Sequence, residues 1–519
     1  MTERLAVCPC VDATELLEAT IAEIKRLGAK MFPLPGIGYT PLKACIEMVA
    51  QFGAVTIIVQ RRVFDPDFSA EYAVYYSQQF RDVPRTCTRL HFFEQGAAAD
   101  EDPLHFLDRV AEDRYLGFVT LRPVPRAPVG AAILAKRAAA PHVVCSSDRF
   151  PVHIAGKHFE LDGTPFMQQD NAVAVCAQAS IWMALRTLRR REGDRAHNPA
   201  QITDAATRYL ISDRTRPNKG GLTTQQMAEA VRVAGYSPLL MQLGDPSAPM
   251  QPDALEAARR QLHPYIESDI PVLLALKTPQ GGHAIAAIGH TWRAVPDAAE
   301  MVFAVPEAGA VPMRFCHAVS WAPELLVHND NSGPYRVLPA AAQPDVYSLS
   351  QVFHAIPLLP ADVFMTAEEA MPCGLSVLRQ LLEALAAHVG EPAVQAIAEA
   401  LVVRLLLVDK SRLRKWAAST AMPPELSSWV RTQDLPRRVW ALEVHKQAYF
   451  SHPATPASLV GLVFIDPTSD ALDVDAHIMT YLNFTAVAGI GAGTIFHGNP
   501  VVGSQTTVHG PIVPMERVR

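Results

Sequence analysis

From Cys176 to residue 360 the hydrophobic pattern changes period once, from helical to strand-like, and that order constrains the fold more than any other feature. Cys176–Arg190 carries apolar residues at helical spacing, separated by four residues from the polar stretch Gln168-Gln169-Asp170-Asn171. Gly221-Leu222-Thr223-Thr224 opens a second helix over Thr224–Ala234, with Thr223 and Gln226 spaced as a capping box. Strand-like segments follow at Pro271–Lys277, His283–Trp292 and Glu324–Asp330. Ahead of the helices, Val152–Leu161 alternates as a strand or hairpin would, and Gly163-Thr164-Pro165 is expected to turn the chain. Helices first and strands second predict an α+β domain.

The flanking sections are mixed. Before residue 151, helices are expected over Ala13–Leu27, Pro41–Phe52 and Leu104–Asp113, with strands over Ala54–Val63 and Leu116–Leu121. Beyond residue 361, Val377–His388 and Ala393–Val408 read as a pair of Ala/Leu-rich helices. Arg438–Val444 and Leu459–Ile465 read as strands, ahead of a Gly/Pro-rich tail from Ala486. The expected organisation is three sections, 1–150, 151–360 and 361–519, and no internal repeat is evident.

Composition narrows the function classes. The 519 residues include 46 Lys plus Arg and 52 Asp plus Glu, a formal charge of −6. That balance removes the electrostatic basis for general nucleic-acid or anionic-membrane binding. The most apolar runs, Val402–Val408 and Leu459–Ile465, are far shorter than the ~20 residues of a membrane span. The N-terminal residues lack the pattern of a secretory signal, so a cytoplasmic protein is expected. Eight cysteines are dispersed along the chain, which argues against a disulfide scaffold. Cys8-Pro9-Cys10 has no partner pair at zinc-ligand spacing, and neither a metal nor another cofactor is called for.

Three placements suit one chemistry. Cys176 stands where a polar stretch gives way to a helix, and a helix N-terminus favours a thiolate through its unpaired N–H groups and dipole. His283 follows Gly281-Gly282 at the start of a strand, where a side chain can face a cleft. Val327-His328-Asn329-Asp330-Asn331 ends the next strand in polar residues. One of these can accept the Nδ1–H of His283, which leaves the other ring nitrogen to take the thiol proton. Asn and Asp are also common in turns for local reasons, and a cysteine opening an apolar helix is most often core. Trp182 is expected in the core. Arg186, Arg189, Arg190 and Arg191 are expected on a solvated face at the end of their helix.

At these residues the chain resembles the papain-like cysteine peptidases, and most closely the peptidase C39-like branch. The resemblance rests on Gln169, on CAQASIWMAL from Cys176, on GLTTQQMAEAVRVAGY from Gly221, on Gly282-His283, and on Asp330 after the following strand. It covers about residues 151–360. It implies a papain-like domain, helix then antiparallel sheet, with Cys176 as nucleophile, His283 as base and acid, and Asp330 as orienting residue. It implies Gln169 as the oxyanion-hole side chain, with Gln168 or Asn171 contending for that place. Asn329 or Asn331 would replace Asp330 if the strand register is displaced. A peptide or protein substrate is implied, cleaved through an acyl-enzyme. Transglutaminases and arylamine acyltransferases use the same residue types in this chain order, so an acyltransferase stays open. So does a non-catalytic peptide-binding module on the same fold.

Overall fold

The computed structural model describes residues 4–28, 40–80, 82–124, 126–136, 142–170, 175–192, 197–209, 221–279, 281–296, 298–304, 313–344, 346–384, 386–419, 422, 424–450, 458–470, 476–488, 494–497 and 505–508. It is an α+β structure built mainly on antiparallel sheets. The chain forms two units. The first comprises Met1–Gln251, Asp269–His290 and Glu324–Leu359, and the second Pro252–Ser268, Thr291–Pro323 and Pro360–Arg519.

The first unit holds two sheets. One runs in the order Leu5–Pro9, Thr56–Val63, Cys87–Phe93, Tyr115–Leu121, Val129–Ala135, Lys157–Phe166, Asp148–Ile154, with each neighbouring pair antiparallel. The helix Ala13–Arg26 starts at Asp12, whose carboxylate accepts from the N–H groups of Thr14 and Glu15. The second sheet places β1 (Val272–Thr278) beside β2 (Gly281–Thr291), then β3 (Leu325–Asn329) and β4 (Gly333–Leu338), all antiparallel. On the far side of β1 runs Val352–Pro360. The helix α1 spans Cys176–Glu192, and the helix Thr224–Val233 carries the Thr223/Gln226 capping box with both of its hydrogen bonds.

One apolar core serves both sheets: Leu16, Phe92 and Leu134 cluster with Trp182, Leu273 and Ile356. The expected boundary after residue 150 therefore does not separate two bodies, and it lies inside the strand Asp148–Ile154. The chain does not turn at Gly163-Thr164-Pro165. The hairpin turn is Ala155-Gly156, both with positive φ, and the second strand continues to Phe166. Gly163 serves close approach instead, because a Cβ there would lie 2.5 Å from the Leu134 carbonyl.

The second unit is organised on a sheet in the order Met301–Ala304, Met313–His317, Leu401–Asp409, Arg438–Lys446, Leu459–Ile465, His477–Asn483, Thr494–His497, Gln505–Val508. Met313–His317 and Leu401–Asp409 run parallel. The expected helix Ala393–Val408 breaks in two: Glu391–Glu399 is helical, and Leu401–Asp409 is a strand. This strand is buried along nearly its whole length, so it reads as an unbroken apolar run that periodicity cannot separate from a helix. Its Arg404 is neutralised internally, donating to Glu267 and, at 2.7 Å, to Glu443. The helix Pro252–Glu267 was not anticipated, and it contains Pro264. Among the described residues no helix is long and apolar enough to cross a membrane.

Candidate active site

Cys176 is the first residue of α1, and its helix is pinned to β2 one turn further on. There the Ser180 hydroxyl donates to the Ala284 carbonyl at 2.9 Å. The Ala284 backbone N–H is directed to the Cys176 thiol. The nucleophile candidate is thereby set against the residue that follows His283.

His283 is buried, and its Nε2 lies 3.1 Å from Asn329 Oδ1 and 3.5 Å from Asp330 Oδ1. The backbone N–H of Asn331 donates to the same Asn329 Oδ1 at 3.0 Å. A backbone N–H can only donate, so that Asn329 atom is the oxygen and the proton of the neutral ring resides on Nε2. Nδ1 is then the basic nitrogen. This reverses the ring assignment expected from sequence, in which Nδ1–H was the held side. It also makes Asn329, rather than Asp330, the hydrogen-bond partner.

Asp330 is fully buried, and its carboxyl oxygens have no hydrogen-bond partner in any other described residue. Burial pushes its acid up to about 8. The Cys176 thiol is pushed up to about 12, first by burial and then by the negative charge of Asp330. The N–H groups of Ala284, Ala177 and Cys176 itself act in the opposite direction and are outweighed. The thiolate expected at the helix start is thus not the resting form. Burial also holds the His283 ring below its ordinary basicity, so ring and thiol are both neutral at rest.

Gln169 is half-buried, and its Nε2 donates to Asn331 Oδ1 at 2.8 Å. Asn331 in turn donates from Nδ2 to the Tyr347 hydroxyl at 3.4 Å, and the Tyr347 ring stacks on His283 with centroids 4.9 Å apart. Gln169, His283, Asn329, Asp330, Asn331 and Tyr347 therefore share one cluster. Gln168 is directed elsewhere, accepting from the Val129 N–H at 3.2 Å and donating to the Arg126 carbonyl at 3.3 Å. Asn171 lies outside the described residues.

The segment bearing Gln169 is clamped on both sides. The fully buried Arg122 donates to the Gln168 carbonyl and to the Glu71 carboxylate, and the Tyr76 hydroxyl donates to Asp170 at 2.6 Å. Tyr347, Tyr76 and Arg122 escaped sequence reasoning. Arg122 sits in a proline-rich bend and Tyr347 in an aperiodic loop, so no spacing ties them to the site. Trp182 is in the core as expected, donating from Nε1 to Asp67 at 3.1 Å. Arg186 is not merely solvated: it pairs with the buried Asp67 at 2.9 Å and lies over the Trp182 ring.

A comparison of the sequence with protein-family models gives no match, and a comparison with curated proteins gives none.

Proposed function

We propose that the chain is a cysteine-dependent amide hydrolase of papain-like type. One observation carries the reading: the Asn329 oxygen, itself fixed by the Asn331 N–H, orients His283 on the strand residue next to the one that contacts the Cys176 thiol. In the proposed reaction Cys176 Sγ attacks the amide carbon as His283 Nδ1 removes the thiol proton. The imidazolium returns that proton to the departing nitrogen, leaving a thioester. Water, deprotonated by the same ring, then cleaves the C–S bond and restores the thiol. Because the resting thiol is neutral, deprotonation accompanies attack. The oxyanion falls to the α1 N-terminal N–H groups, joined by the second N–H of Gln169.

A second reading, a peptide-binding module without chemistry, draws on the thiol at about 12 and on the Gln169 amide tied to Asn331. Acylation separates the two. With p-nitrophenyl acetate at pH 7.5, intact-protein and peptide mass spectrometry should locate the acetyl group on Cys176 ahead of the other thiols. His283→Ala should slow its appearance. Acetylation spread evenly over the cysteines, or unchanged by His283→Ala, would sink the enzyme reading. Added hydroxylamine against water then tests the acyltransferase alternative, which predicts a dominant hydroxamate product.

A further inference from the structure

The second unit carries an open cavity of about 410 Å³, within the size range of small-molecule sites. Much of its wall is apolar, with Phe303, Met371 and Leu375 among the lining residues. Arg260, Gln261, His317 and Glu368 supply its polar side chains, and Arg260, His317 and Glu368 have hydrogen-bonding capacity left over.

Glu368 stands in the first turn of the helix Ala367–Glu383. Its Oε2 accepts from the Tyr265 hydroxyl at 2.6 Å, while Oε1 is buried with no hydrogen-bond partner among the described residues. An orphaned buried acceptor carries an uncompensated desolvation cost, which a ligand N–H would relieve. Arg260 reaches Glu256 and Glu300 only at 3.7 and 3.6 Å, both through Nη1, and Nε and Nη2 have no acceptor among the described residues. His317 accepts the Val319 N–H on Nδ1 at 3.0 Å, so its proton is on Nε2 and that nitrogen donates. Burial and the neighbouring Arg260 and Arg259 keep this ring neutral.

We propose that this cavity binds a zwitterion with an apolar side chain, its ammonium on Glu368 Oε1 and its carboxylate on Arg260 and His317. A free amino acid and a short peptide share that chemistry. The site needs neither Cys176 nor the peptidase reading.

The test is calorimetric titration of the full chain with L-leucine, leucinamide, 4-methylpentanoate and Leu-Leu. Leucine or Leu-Leu should bind, and deleting either charge should weaken leucine-type binding about tenfold or more. Arg260→Gln should erase the preference for leucine over leucinamide. Glu368→Gln should erase its preference over 4-methylpentanoate. Met371→Trp, which fills the cavity without touching its polar groups, should abolish binding, and Cys176→Ala should leave it unchanged. Tighter binding of Leu-Leu than of leucine assigns the site to peptides, and the reverse assigns it to amino acids. No heat from either, or equal affinity for leucine and both truncated analogues, overturns the proposal.

Discussion

Asn329 holds His283 from an oxygen that is itself held, since Oδ1 accepts from the ring Nε2 at 3.1 Å and from the Asn331 N–H at 3.0 Å. Removing it frees the ring to rotate and to exchange tautomers. Asn329→Ala should therefore slow acylation of Cys176 by about 10- to 100-fold. Asn329→Asp, which keeps an acceptor in place, should recover much of that loss. Single-turnover mass spectrometry gives the rates, and equal rates in all three proteins would remove Asn329 from the mechanism.

Asp330 should make stability fall as pH rises. Its acid lies at about 8 in the folded chain and near 3.9 when unfolded, so the folded state binds the extra proton between those values. Its contribution is neutral at low pH, grows unfavourable above pH ~4, and is fully unfavourable above pH ~8, on the order of a few kcal/mol. Asp330→Asn should melt close to wild type at pH 4.5 and clearly above it at pH 8.5. A melting difference independent of pH would contradict the assignment.

The same charge acts on the thiol. Iodoacetamide labelling of wild-type Cys176 should climb through pH 9 without a plateau near neutrality, because the thiol lies at about 12. Asp330→Asn should label faster at pH 9, where the wild-type carboxylate is ionised. At pH 6, where Asp330 is protonated, the two proteins should label alike. A plateau below pH 7 in the wild type would indicate a preformed thiolate–imidazolium pair instead.

Arg122 is the counter-charge for buried acids. Arg122→Met should strand Glu71 without its partner and release the Gln168 carbonyl, costing about 3–5 kcal/mol in denaturant titration. Replacing Glu71 with Leu in the same chain should return part of that loss. If Arg122→Met unfolds at the wild-type midpoint, the pair does not stabilise the fold.

Legibility in the sequence followed the physics of each element. Helices with caps at fixed offsets, such as Thr224–Val233 behind Thr223, were readable because the capping hydrogen bonds are local. Leu401–Asp409 was not, since burial on both faces erases the alternation that marks a strand. At the site, Gln169, Cys176 and His283 stood out by residue type and position, while Asp330 was expected beside the ring and Asn329 only as its substitute. Which carboxamide or carboxyl meets the ring depends on how β3 ends, and that is a matter of tertiary register. The thiol's protonation was unreadable for the same reason: a helix start favours the thiolate, but burial beside Asp330 outweighs it.

The first unit is assembled from three separate stretches, Met1–Gln251, Asp269–His290 and Glu324–Leu359. Cys176 belongs to the first, His283 to the second, and Asn329 with Tyr347 to the third. In a growing chain Cys176 therefore emerges 107 residues before His283, and His283 before Asn329. Until Tyr347 has been added, the His283 ring lacks its stacking partner. Under the proposed mechanism, a fragment that stops short of that point should not carry the chemistry, however well its own helices form.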